Sequence, residues 1–128
     1  MFGNTNTNKT FKEEHSLEKR LGEAKRILEK YPDRIPVIVE RDPKAGPDIP
    51  EIDKKKFLVP LDLTVGQFLY TIRKRIQLSP VQALFLHFNG KLYSTGDLMR
   101  NVYTESRDPD TLFLMATFQG ETAFGMGD

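Results

Sequence analysis

The chain contains no cysteine. That excludes disulfides, a thiolate zinc site, a thiol nucleophile and palmitoylation. Histidine is scarce as well, with only His15 and His87. His87 falls in a short apolar stretch, where a core or sheet-face histidine is far commoner than a catalyst. No Ser/His/Asp set, metal-ligand cluster or glycine-rich phosphate loop is present. The acids at Glu13 and Glu14, and at Asp108 and Asp110, read as surface charges. Intrinsic catalysis is therefore not expected, and no cofactor or metal is implied. No apolar run approaches the roughly 20 residues that a spanning helix needs. The opening "MFGNTNTNKT" lacks the apolar core of a signal peptide, and Gly3 is not at the second position that myristoylation requires. The absence of cysteine fits a cytoplasmic chain. A net charge of +1 over 128 residues supplies no global field, and no nucleic-acid partner is expected.

The elements present are short and well punctuated. Residues 1–9 are rich in Asn and Thr without periodicity and read as a disordered extension. In "SLEKRLGEAKRILEKY", Leu17, Leu21, Ala24, Leu28 and Tyr31 recur at steps of three and four, with Ser16 as N-cap. The spacing predicts a helix over 16–30 that Pro32 ends. Its Leu17, Leu21 and Leu28 are expected to face the rest of the domain. A further short helical turn fits around Phe11 to Glu14. "IPVIVER" and "KFLVPL" read as strands, joined by the proline-rich loop 42–53. "LTVGQFLYTIRKRI" opens with a Thr64/Gln67 capping box and carries the stripe Val65, Phe68, Leu69, Ile72, Ile76. Ser79-Pro80 looks like the start of another short turn. "ALFLHF" is a buried strand, "NG" at 89–90 a hairpin turn, and "KLY" its brief partner. A short helix over 97–103, a last strand in "TLFLMATF" and a glycine-rich tail complete the chain.

Helix, two strands, a crossing helix and two further strands give an α+β chain of ubiquitin-like β-grasp type with an N-terminal helical extension. The divisions are 1–9, a helical subdomain over 10–32, a core over 33–118 and a flexible tail over 119–128. In this arrangement the "KFLVP" strand lies at a sheet edge, which suits Pro60 because proline cannot donate to a ladder. Strand side chains alternate, so Lys56 and Leu58 share one side and Phe57 and Val59 the other. Two helices beside the strand would make an apolar pocket on each side, and the open backbone would accept an extended peptide by β-augmentation. A peptide with an aromatic residue and, three positions on, an aliphatic one would fill both pockets. Lys54 and Lys56 would attract its acids. The competing reading is an edge strand blunted by Lys and Pro against aggregation, and the residues alone weigh the two about equally.

"YPDRIPVIVER", "DKKKFLVPLDLTVGQFLYTIRKRI", "ALFLHFNG", "TLFLMATF" and "ETAFG" resemble the autophagy ubiquitin-like modifiers, the family of the GABA-receptor-associated protein and the microtubule-associated light chains. The likeness runs from about Phe11 to Gly125 and leans toward the GABA-receptor-associated branch. The resemblance implies cleavage by a cysteine protease after Gly125, with Phe124 fixing the register. It implies activating and conjugating enzymes, attachment to phosphatidylethanolamine, and recruitment of receptors at the autophagosome membrane. It places an aromatic pocket on Glu23, Ile27, Pro36, Ile38, Lys56, Leu58 and Phe113. It places an aliphatic pocket on Phe57, Val59, Pro60, Leu63, Phe68 and Arg75, with Arg34 and Lys54 beside the acidic flank. Thr71 departs from the aliphatic residue usual in the family, the 42–53 loop is about two residues longer, and the N-terminal extension is unusual. Two alternatives stand beside this reading. One is a ubiquitin-like interaction domain that is never conjugated. The other is a basic microtubule- or nucleic-acid-binding module using 54–56 and 73–75, for which no interleaved aromatic platform is present.

Overall fold

A computed structural model describes residues 9–120. The first element, α1 (Phe11–Glu14), is a single turn with its own capping box: Glu13 N–H donates to Thr10 Oγ1 (3.2 Å) and Thr10 N–H donates to Glu13 Oε1 (2.9 Å). Helix α2 (Leu17–Lys30) starts at Ser16, whose Oγ accepts from Lys19 N–H (3.2 Å). Strands β1 (Arg34–Arg41) and β2 (Lys56–Pro60) follow. The connection between them is not a slack loop. Ala45, Ile49 and Ile52 are buried, and the Arg41 guanidinium donates to the carbonyls of Ala45, Gly46 and Ile49, each at 2.8 Å. Helix α3 (Val65–Arg75) opens with the Thr64/Gln67 box expected from the sequence. Then come β3 (Phe85–Phe88), β4 (Lys91–Leu92), α4 (Met99–Ser106) and β5 (Leu114–Gln119). Asn89 and Gly90, with φ of 50° and 82°, make the β3–β4 turn, both in the left-handed region that Asn-Gly tolerates.

The sheet runs β2-β1-β5-β3-β4, with β1 and β5 parallel and the other pairs antiparallel. This is the β-grasp arrangement. Helices α3 and α4 cover one face through Val65, Phe68, Ile72, Met99 and Val102, packed on Val37, Val39, Phe88, Ala116 and Phe118. Helices α1 and α2 cover part of the other face through a smaller cluster of Phe11, Ala24, Ile38 and Phe113. Central β1 is thus buried on both faces, which explains its near-continuous apolar run.

Two expectations are corrected. Leu17 is 50% exposed, and Leu21 and Leu28 are only half-buried. The helix rests on the sheet through Ala24 and Ile27, because the small alanine lets it approach closely. The last strand starts at Leu114 and runs one residue past Phe118, since Gln119 pairs with Phe85, so the tail starts later than position 119. Residues 79–82 form the short turn expected at Ser79-Pro80, closed by Gln82 N–H to Ser79 C=O (3.1 Å). The extension 1–8 and the tail from 121, with Phe124 and Gly125, lie outside the described residues.

Candidate peptide-binding edge

Strand β2 is an edge of the sheet, bonded only to β1. Val39 N–H donates to Lys55 C=O (2.8 Å). In an antiparallel ladder this phase repeats every second residue, so Val37–Phe57 and Ile35–Val59 are the hydrogen-bonded pairs. The backbone groups of Phe57 and Val59 therefore point in toward β1, and those of Lys56, Leu58 and Pro60 point out. Pro60 costs the ladder nothing there. Its carbonyl is already used by Leu63 N–H (3.2 Å). The outward edge thus offers the N–H and C=O of two residues, Lys56 and Leu58. Arg34 Nη1 lies 3.4 Å from Leu58 C=O.

Side chains split as alternation requires. On the α2 side, Glu23 and Ile27 of α2, Pro36 and Ile38 of β1, Lys56 and Leu58 of β2, and Phe113 before β5 all meet one flank of the sheet. Pro36, Ile38 and Phe113 are buried and form its base, with Phe11 edge-on to Phe113 at 5.2 Å between centroids. Leu58 is 36% exposed. The Lys56 ammonium and Glu23 carboxylate form an ion pair that spans from β2 to α2.

On the α3 side, Phe57 is 9% exposed, and Val59 and Phe68 are fully buried in the main core. Phe57 packs edge-on against Phe68, 5.8 Å between centroids. These three side chains are a floor shared with the core. Leu63 is half-buried and Arg75 is exposed at the rim, whereas Pro60, exposed at the end of β2, falls by alternation on the side of Lys56 and Leu58 rather than with Phe57 and Val59. Arg75 Nε donates to Asp53 Oδ1 (2.9 Å), and this bond, opposed by some desolvation, holds the Asp53 carboxyl below the ordinary aspartate value. Thr71 follows Gln67 and precedes Arg75 on the same helical ridge, and its hydroxyl donates back to Gln67 C=O (3.1 Å). Lys54 places its ammonium 5.2 Å from the Phe57 ring centroid, a cation–π contact that caps the ring.

Two contributors were not identified from the sequence. Asp53 gave no signal, because its partner is 22 residues away. Glu40 accepts from Phe11 N–H (2.7 Å) and lies 3.6 Å from Lys55 Nζ, while Lys55 also donates to Lys9 C=O (2.8 Å). A strand carboxylate thus holds the first N–H of α1, and through Phe11 it steadies the α2 side of the site.

An edge strand flanked by a helix on each face, on a β-grasp sheet with an added helical pair, defines a protein of the ubiquitin-like class. Comparison with known proteins gives the family. Residues 19–125 match the family model described as "Autophagy protein Atg8 ubiquitin like". The chain is 56% identical over 117 residues to autophagy-related protein 8d of Arabidopsis thaliana, covering 91% of this chain and 95% of that one. It is 56% identical over 115 residues to autophagy-related protein 8 of Mycosarcoma maydis, covering 90% and 95%. The crystal structure of Trypanosoma brucei ATG8 superposes with a TM-score of 0.80 at 39% identity, covering 90% of this chain and 97% of that one. The chain belongs to the Atg8 family of autophagy ubiquitin-like proteins.

Proposed function

We propose that this Atg8-family protein is a lipid-conjugated adaptor of autophagy. A cysteine protease removes Met126, Gly127 and Asp128, and activating and conjugating enzymes transfer the Gly125 carbonyl to the amine of phosphatidylethanolamine. On the autophagosome membrane the chain then recruits receptors carrying an aromatic-x-x-aliphatic motif with acidic flanks. The chain acts as modifier and adaptor, and the catalysts are its partners. The supporting observation is the outward face of β2. The backbone groups of Lys56 and Leu58 point away from β1 between an α2 flank and an α3 flank, with Leu58 C=O touched only by the exposed Arg34 side chain and with Lys54 and Lys56 nearby. A peptide strand bonded to Lys56 and Leu58 would send alternate side chains to the two flanks. Among the described residues no helix is long and apolar enough to cross a membrane.

Intact mass of the chain recovered from its own cells tests the conjugation. The expected species has lost the last three residues and gained a phospholipid. Gly125→Ala should abolish that species and leave peptide binding unchanged, since the β2 edge lies in the folded domain. Normal amounts of lipid-bearing protein from the Gly125→Ala chain would move the conjugation site elsewhere. A purely non-conjugated interaction domain would show neither mass change.

A further inference from the structure

We propose that the 79–82 turn, with Val81 at its tip, rests on the bilayer surface when the protein is tethered there. The inference rests on Gly125 carrying the lipid, and its argument is one of reach. Gly125 is five residue steps beyond Gly120, so the anchor lies within about 17 Å of Gly120. Gly120 leaves β5 in a close-packed corner. A Cβ there would stand 2.7 Å from Ile49 Cδ1 and 3.6 Å from the Ala83 carbonyl. The chain exit therefore abuts Ala83, two residues from Val81. The far end of the molecule, at 108–113 and the Asn89–Gly90 turn, lies a full β5 length away, about 20 Å.

Val81 is 91% exposed, more than any other large apolar side chain among the described residues. A lone exposed valine is ordinary on a protein surface. This one is held out firmly beside the exit. Gln82 N–H closes the turn on Ser79 C=O (3.1 Å), and Arg73 Nη1 donates to the carbonyls of Ser79 (3.0 Å) and Gln82 (2.8 Å). Gln82 Nε2 donates to Asp48 Oδ2 (2.7 Å), which ties the turn to the loop that also packs on Gly120. Leu78 and Leu84 are buried at its feet. A clamped turn keeps its apolar tip outward instead of folding it back. Lys74 is exposed on the last turn of α3, just before this region, and suits headgroup phosphates. One valine is too weak a contact to hold a free protein on a membrane. A short tether raises the effective concentration to the millimolar range, where such a contact becomes populated.

The chain has neither cysteine nor tryptophan, which makes the test clean. A chain ending in Met126→Cys is coupled to a maleimide-bearing phospholipid in phosphatidylcholine/phosphatidylethanolamine vesicles. Val81→Trp supplies the only indole, and Asp110→Trp, exposed at the far end, supplies the comparison. Both positions are exposed, and unchanged far-UV dichroism checks the fold. The expected result is a blue-shifted indole at position 81, quenched by brominated acyl chains only when tethered. The indole at 110 should stay as in solution. An indole at 81 that is quenched no more than that at 110 in the tethered protein would overturn the proposal. Chemical coupling bypasses the conjugation enzymes. A failure of the lipid reading in cells is therefore seen in the mass experiment, and a failure of the surface contact is seen here.

Discussion

Adjacent positions on β2 should separate stability from binding. Phe57 is 9% exposed and sits edge-on to Phe68, so Phe57→Ala opens a cavity in the main core. Large-to-small changes of this kind cost about 3–5 kcal/mol, a large part of the 5–15 kcal/mol that holds a typical domain together. Leu58 points to the α2 flank and keeps 36% of its surface in water. Burying a whole leucine is worth about 1.5–3 kcal/mol, so a peptide covering that last third gains about 0.5–1 kcal/mol from it. Leu58→Ala should therefore weaken an aromatic-x-x-aliphatic peptide roughly two- to fivefold and cost only about 1 kcal/mol of stability. Urea unfolding gives the stabilities and titration calorimetry the affinities, on protein shown to be folded. Equal stability losses for the two variants would refute the reasoning, because they would mean that the strand faces are assigned in the wrong phase.

Glu40→Gln removes the charge that holds Phe11 N–H and Lys55, a contact worth about 1 kcal/mol at a helix N-terminus. Amide exchange over 11–30 should speed up while β1, β3 and β5 stay protected. Lys54 has its ammonium on the Phe57 ring, whereas Lys56 is engaged by Glu23. Lys54→Ala should thus reduce the peptide association rate and its salt dependence more than Lys56→Ala does, as read by stopped-flow. Asp53 has a lowered folded-state pKa from Arg75, so the pair's contribution is present above the ordinary aspartate value and is lost as pH falls through the lowered one. A carboxyl titration followed by NMR should place Asp53 below the ordinary value, and Arg75→Gln should return it upward.

Local chemistry made most of the fold legible. The Thr64/Gln67 box, the Asn89–Gly90 turn and the proline ending β2 each fix backbone geometry within a few residues, and each is found where the sequence puts it. The "TFKE" box that starts α1 has the same form and was equally readable. The contact face of α2 was less so. Its apolar residues are spread widely enough that two neighbouring ridges fit the periodicity. The ridge with the larger side chains is the more exposed one, because Ala24 permits the closer approach. For the β2 edge, alternation separated Lys56 and Leu58 from Phe57 and Val59 as the structure does, but it gave no measure of depth, and Pro60 shares the parity of the lysine and leucine. That Phe57, Val59 and Phe68 form a core floor depends on α3 crossing directly beneath them. Glu40 with Phe11 and Asp53 with Arg75 join residues far apart in sequence, and no local pattern encodes such pairs.

On the proposed function, protection and recognition at the β2 edge are one device. A second copy of this chain is a poor partner for the edge. In an antiparallel pair centred on Leu58, Lys56 faces Pro60, which has no N–H and whose carbonyl is taken by Leu63. Only Leu58 could then pair fully. In a parallel pair the cations at 54–56 of both copies would run side by side, and like charges placed opposite each other across strands are destabilising. A foreign segment has neither fault if it carries acids instead of lysines and a normal backbone opposite Lys56. The same lysines that repel a copy then attract the segment, and the two outward residues are enough to set its register. The opposite edge needs no such selection, because β4 is only two residues long and offers little to pair with. On that proposal, selectivity at β2 follows from how few backbone groups are left open and from the sign of the charge beside them.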